Sequence, residues 1–311
     1  MTPVIALNNL TKVYPPPNKK GKPFTAVNGV TFSVQEGEIV GLLGPNGAGK
    51  STTISMLLGV LSPTSGSISY FGKDFFKHRS EILSHVTFAS TYIRMPWRLS
   101  VMENLRIYGY MYGLSKSLFE KRAKKFLSYF GVWDQRDKTM NLLSAGQVTR
   151  IMLAKAFIPH PKVVLLDEPT ASLDPDIAHE IRGFVKQQQN EFNTTILYTS
   201  HNMDEVTDVC DRVIFLKHGQ IVSQDTPENL IKTLKDVTVE LLVSDHLTQI
   251  TALLKTNAWA FTAQEREIQI TLPENQVAKL FQTLAIANIS YSQITVHKPS
   301  LEDYFLQLAA K

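Results

Sequence analysis

A mixed α/β fold with a parallel core sheet, followed by a smaller α+β domain, is the architecture this 311-residue chain predicts. Three observations point there. Short, largely apolar runs such as Val163–Leu166 and Thr195–Ile196–Leu197–Tyr198 each follow a helical stretch, the pattern of strands buried on both faces of a parallel sheet. A glycine-rich segment, Gly44–Ser51, lies between an apolar run and a helical pattern. Near Lys235 the texture changes to a strand–helix–strand–strand–helix–strand order, that of a ferredoxin-like unit.

The elements follow in order. Val4–Leu7, Val27–Phe32 and Glu38–Leu43 are apolar runs between turn residues and read as strands. Gly49–Leu61 has helix length. Ser100–Glu103 and Ser117–Glu120 both fit a capping box. After the second, Phe119, Ala123, Phe126, Leu127 and Phe130 recur at helical spacing until Gly131. Residues 100–160 therefore read as mostly helical. Val213–Leu216 and Gln220–Val222 flank Lys217-His218-Gly219 and read as a hairpin, and Thr226-Pro227-Glu228 starts a short helix. Beyond the boundary at 235 the expected elements are strand 237–243, helix 246–256, strands 258–263 and 266–272, helix 274–287, strand 289–297 and a last helix from Ser300 to Ala310.

Composition narrows the function. Hydrophobic residues are 43% and charged residues 19%, enough for a packed core. Thirty-two Lys and Arg against 28 Asp and Glu leave +4, too mild to demand nucleic acid. The basic clusters at 19–22 and 121–125 read as solvated faces, and no nucleic-acid partner is expected. A single cysteine, Cys210, excludes an intrachain disulfide and multi-cysteine zinc sites, and it reads as a small buried apolar residue. The N-terminus lacks the pattern of a signal peptide, and no run approaches about 18 apolar residues, so membrane contact is expected only through a partner. Pro15–Pro23 reads as an exposed loop.

Gly44-Pro45-Asn46-Gly47-Ala48-Gly49-Lys50-Ser51 fits the phosphate-binding pattern G-x-x-x-x-G-K-[ST] in its proper strand-to-helix setting. Its glycines turn backbone N–H groups toward phosphate oxygens, Lys50 offers a compact charge to the β- and γ-phosphates, and Ser51 a hydroxyl to Mg²⁺. Asp167 and Glu168 end the buried run at Leu166. Beside a phosphate loop, Asp167 is suited to hold Mg²⁺ through water and Glu168 to act as general base on the attacking water. Alone, Ser144 reads as a plain helix cap and His201 as one histidine at a strand end on the ligand side of the sheet.

Taken together, Gly44–Ser51, Leu143–Gln147, Leu165–Glu168, Ser172-Leu173-Asp174 and His201 resemble the ATP-binding-cassette family, in particular the separately encoded nucleotide-binding subunits of bacterial exporter-type transporters. The motifs cover about residues 4–230, and Pro299–Phe305 resembles the close of an accessory domain found in many such subunits. The resemblance implies a P-loop NTPase cassette: a RecA-like core with an antiparallel β subdomain and a helical subdomain at about 92–160, spanning 1–235, with an accessory domain at 236–311. It implies ATP hydrolysis with Mg²⁺, ATP lying on Gly44–Thr52. It further implies two cassettes head to tail, with Ser144, Gly146 and Gln147 on the γ-phosphate of the partner's ATP and Asp174 coupling the sites. His201 would hold the γ-phosphate and the water, and Tyr14 would stack on adenine. Transmembrane permease subunits are the implied partners, and the cytoplasmic face of the cell membrane the implied location. A nucleotide-dependent regulatory module without transport is the rival reading. A soluble mechanical ATPase on nucleic acid or ribosomes fits less well, since those usually carry two cassettes or coiled-coil insertions.

Two departures stand out. Ala145 replaces the first of the usual two signature glycines, a small change at a helix N-terminus. The family's usual glutamine before a stretch like Ser100–Leu105 is missing. Thr91 occupies its place, and no Gln lies in 68–134. The expectation is that a water replaces the glutamine oxygen. Tyr92, Arg94 and Trp97 would keep the contact with the membrane subunit, and Trp133 reads as a packing or partner-surface aromatic.

Overall fold

The computed structural model describes residues 2–16, 21–90, 95–171, 173–243 and 247–310. Pro17–Lys20, Thr91–Arg94, Ser172 and the expected helix start at 246 lie outside the described residues. The chain forms two compact units, Met1–Pro227 and Glu228–Lys311.

The first unit runs β1 (Ile5–Tyr14), β2 (Phe24–Val34), β3 (Ile39–Leu43), α1 (Lys50–Leu57), β4 (Ser65–Tyr70), β5 (Lys73–Asp74), α2 (Arg79–Leu83), β6 (Val86–Ser90), α3 (Val101–Met111), α4 (Lys116–Tyr129), α5 (Ala145–Phe157), β7 (Val163–Asp167), α6 (Pro175–Phe192), β8 (Thr195–Thr199), α7 (Met203–Val209), β9 (Arg212–Lys217) and β10 (Gln220–Asp225). Its main sheet has the order β10-β9-β3-β8-β7-β6, with β10 the antiparallel hairpin strand at one edge and the other five parallel. β3 and β8 are buried along their whole length, as strands covered on both faces of a parallel sheet are. A second, antiparallel sheet, β2-β1-β4-β5, shares one apolar core with α1 and the main sheet, in which Leu7, Val30 and Ile68 join Leu42, Ile54, Leu165 and Ile214.

The helical segment is tied down by aromatics. Phe130 and Phe157 each meet the Phe184 ring of α6 at a centroid distance of 4.8 Å in edge-on geometry. The cap of α4 corrects the sequence reading: Ser115, not Ser117, is the N-cap, with extended backbone and a hydroxyl accepting from Leu118 N at 3.3 Å. Ser117 already lies in the first helical turn, so its box-like spacing to Glu120 is coincidental. The Ser100–Glu103 box is formed as expected. α1 stops at Leu57 instead of Leu61, and Gly59 follows at φ +67°.

Lys155, in the last turn of α5, sets a pH-dependent cost. Burial pushes its ammonium down from 10.5 to about 8, with the Tyr108 ring 4.8 Å away as its apolar-side partner. The folded state releases this proton near 8 and the unfolded chain near 10.5, so the unfolded state holds the extra proton between them, and stability rises with pH across that window. Below pH 8 both states are charged and the folded state carries the full burial cost. Lys155→Met should therefore raise stability at pH 7 by on the order of 1–3 kcal/mol and remove this rise, as read from denaturant unfolding at pH 7 and pH 10.

The boundary falls at α8 (Pro227–Lys232). Beyond it come β11 (Asp236–Val243), α9 (Leu247–Thr256), β12 (Ala260–Gln264), β13 (Glu267–Pro273), α10 (Val277–Ile286), β14 (Tyr291–His297) and α11 (Leu301–Ala310). The sheet is antiparallel with order β12-β13-β11-β14. Alternate residues Val237, Val239, Leu241 and Val243 form one buried core with Ile250, Leu254, Leu280 and Leu284 of the two helices. Element order and strand order together are those of the ferredoxin-like unit. The helix expected at 274–287 begins as a 3₁₀ turn, Glu274–Gln276. Among the described residues no helix is long and apolar enough to cross a membrane.

Candidate active site

Four neighbouring parallel strands, β6, β7, β8 and β3, deliver the candidate residues at their C-terminal ends. β3 leads into the Gly44–Gly49 loop and α1. Gly44 (φ +146°) and Gly49 (φ +104°) are obligatory: a Cβ would stand 2.2 Å from the Leu216 carbonyl oxygen and 2.5 Å from that of Ala26 respectively. The β9–β10 turn braces the loop, Gly219 N donating to Ala48 O at 3.1 Å while Gly219 O accepts from Asn28 N at 2.8 Å. Lys50 Nζ donates to the Gly44 carbonyl and, at 3.2 Å, to that of Pro45. Burial lowers the Lys50 pKa, opposed by the negative charges of Glu168 and Asp167.

These groups enclose a cleft of about 350 Å³ lined by Phe24, Ala26, Asn46–Thr52, Asp167 and Glu168. The register of the sheet places Ser90, Asp167 and Thr199 side by side on β6, β7 and β8. Asp167 is fixed accordingly: Oδ1 accepts from Thr199 Oγ1 at 2.7 Å and Oδ2 from Ser90 Oγ at 3.2 Å. Glu168 adopts φ +53°, uncommon for a residue with a side chain, and its N–H is shared between Thr199 O (3.1 Å) and Oγ1 (3.2 Å). Its carboxylate, 12% exposed, meets Nδ1 of His201 at 2.7 Å, and the imidazole is 75% exposed. A half-buried carboxylate thus faces the cleft with an accessible imidazole beside it.

The remaining candidates lie elsewhere. Ser144 is the exposed N-cap of α5. Its hydroxyl accepts from Gln147 N at 3.3 Å, and Gln147 Oε1 accepts from Ser144 N at 3.0 Å. Asp174 is the exposed N-cap of α6. Ser144, Gly146, Gln147 and Asp174 do not line the cleft of their own chain. Tyr14 pairs with Phe24 across β1 and β2 and lies 5.6 Å from the Lys12 ammonium, but Phe24, 59% exposed, is the aromatic in the lining. Phe24 and the carboxylate-holding Ser90 and Thr199 escaped the sequence reading. The aromatic just before Thr25-Ala26-Val27 and the hydroxyl beside Ser200-His201 were the available signals. Trp97 is 57% exposed, and Cys210 is buried as expected.

A glycine-rich strand-to-helix loop with its lysine, a strand-end carboxylate pair and a histidine one strand away, on this pair of sheets, define a P-loop ATPase of the ATP-binding-cassette class. An ABC transporter profile matches residues 27–171. The linearmycin resistance ATP-binding protein LnrL of Bacillus subtilis is 33% identical over 317 residues, covering 99% of this chain and 99% of the relative. The Nod factor export ATP-binding protein I of Ralstonia nicotianae is 31% identical over 316 residues, covering 100% of this chain and 95% of its own. A solved structure, the ATP-binding subunit of an ABC transporter, matches with TM-score 0.67 at 26% identity, covering 74% of this chain and 92% of that one. The chain belongs to the ABC transporter family. It is an ATP-binding subunit of the exporter type, and its activity is ATP hydrolysis coupled to transport. This supports the transport reading over the detached regulatory module.

Proposed function

We propose that this subunit works as one of two cassettes that close head to tail on ATP beneath transmembrane permease subunits, at the cytoplasmic face of the cell membrane, to drive export. The observation that carries the reading is the Glu168–His201 contact of 2.7 Å at the mouth of the Lys50 cleft, next to an Asp167 carboxylate held from both sides. Lys50 exchanges its loop carbonyls for β- and γ-phosphate oxygens, and the loop N–H groups of Asn46–Thr52 take up the remaining phosphate charge. The adenine stacks on the aromatic pair Phe24 and Tyr14.

Ser51 Oγ, exposed in the cleft, and the Asp167 carboxylate are hard oxygen donors of the kind Mg²⁺ takes, and they would hold it. A cation held there would supply neutralisation of the negative charge that develops on the phosphates. Glu168 accepts the proton of the attacking water, and His201 keeps that water and the γ-phosphate in line. The exposed N-terminus of α5, with Ser144, Gly146 and Gln147, meets the partner's γ-phosphate, and Asp174 at the start of α6 links the two sites. The permease subunits choose the substrate, and Trp97 belongs to the surface that meets them.

Detergent extraction of the tagged chain from the membranes of the cells that make it tests this reading. Co-purification in detergent, with an ATPase rate that depends on Mg²⁺, supports it; a chain that never enters a membrane complex overturns it. Residues 236–311 take an accessory role in this account. A chain ending at Thr233 should bind ATP with an affinity within about threefold of the full chain, measured by titration calorimetry.

A further inference from the structure

Among the described residues Glu205 is the one charged side chain that is buried, with 5% of its surface exposed. It lies on α7, outside every motif read from the sequence. A single carboxylate oxygen, Oε2, accepts three hydroxyls: Thr170 Oγ1 at 2.6 Å, Ser200 Oγ at 3.1 Å and Tyr198 OH at 3.4 Å. Oε1 faces Arg182 of α6 at 3.5 Å, and Arg182 also reaches Asp208 at 3.5 Å. Ser200 is fixed from its other side by Asn202 N at 3.0 Å, and Asn202 Oδ1 in turn caps α7 through Glu205 N at 3.3 Å.

The donors are informative. Thr170 follows Glu168 by two residues, across Pro169, and Ser200 immediately precedes His201. The two loops that carry the base and the imidazole therefore share one acceptor atom. Glu168 and His201 face each other only if these loops keep their spacing, and Glu168 already holds a left-handed backbone that must be imposed from outside. A buried carboxylate is costly unless its oxygens are saturated, and this one is saturated by the groups whose positions matter.

The geometry points to Glu205 as a positioning residue that fixes the spacing of Glu168 and His201 through Thr170 and Ser200. It touches neither ATP nor water. This rests on the catalytic roles given above to Glu168 and His201. Losing one hydroxyl loosens the pair without disturbing the phosphate loop, so kcat should fall while KM for ATP stays.

The test uses the full-length chain with ATP and Mg²⁺, and kcat is normalised to bound ATP from equilibrium dialysis. Thr170→Val, close in shape but without the hydroxyl, should lower kcat about tenfold with KM within about twofold. Thr170→Ser should restore kcat to within about twofold, which a purely steric role would not explain. Ser200→Ala, a second variant, should also lower kcat. Thr207→Val, which removes a hydroxyl donated to Met203 O on the same helix, should match wild type. Unchanged kcat per bound ATP in both Thr170→Val and Ser200→Ala overturns the proposal, as does a Thr170→Ser variant no better than Thr170→Val. Glu168→Gln is assayed alongside: if it retains full turnover, the catalytic reading itself fails, whatever the Thr170 variants do.

Discussion

Glu168→Gln should lower ATP turnover about 10²–10³-fold while ATP affinity stays within about twofold. Among the described residues lining the cleft, the acidic groups are this carboxylate and Asp167, and Asp167 is committed to the hydroxyls of Ser90 and Thr199. The amide keeps the size of the side chain and an oxygen toward His201, but it cannot take a proton from water. The backbone of residue 168 is held by Thr199, so the substitution leaves the φ +53° conformation in place. ATP then persists between the closed cassettes, and a dimer stable enough to survive size-exclusion chromatography in ATP should accumulate. Turnover at the wild-type rate would remove Glu168 from the mechanism.

Lys50→Ala should act earlier and in the opposite sense on assembly. The ammonium spans the loop from Gly44 to Pro45 and carries a burial cost that the nearby carboxylates only partly offset, so a phosphate chain is its natural counter-charge. A charge-assisted hydrogen bond is worth about 1.5–3 kcal/mol, which predicts an ATP Kd raised about 10–100-fold, measured by calorimetry. Lys50 is half-buried and lies outside the apolar core, so its removal should leave the unfolding midpoint close to wild type. The double variant Lys50→Ala/Glu168→Gln should behave as Lys50→Ala and fail to accumulate the dimer, because binding precedes the step that Glu168 serves. A double variant that dimerises like Glu168→Gln would place Lys50 outside triphosphate binding.

What could be read from sequence was local. The phosphate loop, the carboxylate pair and the strand they end are contiguous in the chain, and each carries its own reason for its residue types. The alternation in β11 and β13 was equally legible because one face is buried and the other wet. What escaped depends on pairing between distant segments. That Ser90, Asp167 and Thr199 share one row follows from the parallel register of three strands, which no local pattern encodes. β4 starts with Ser65-Gly66-Ser67, exposed and without apolar residues, so its strand character comes from pairing with β1. Ser117 fits the capping-box spacing through Glu120, whereas Ser115 has Leu118 at that place, yet α4 starts at Lys116 with Ser115 as its cap. Glu205 sits in Met203-Asp204-Glu205, a run that looks solvated, and only the fold turns its carboxylate inward. Phe24 escaped because the strand seemed to begin at Val27, whereas pairing with Tyr14 extends it.

The central claim is that each ATP site is completed by a second chain, since Ser144, Gly146 and Gln147 stand exposed or half-buried on α5 and outside the cleft of their own molecule. The most direct measurement is a structure of the full-length Glu168→Gln variant with ATP and Mg²⁺. The account predicts two chains head to tail, with the Ser144 hydroxyl and the Gly146 N–H of one within about 3.2 Å of the γ-phosphate held by Lys50 of the other. ATP bound to a chain whose Ser144 faces solvent, or a dimer joined through any other surface, would contradict it.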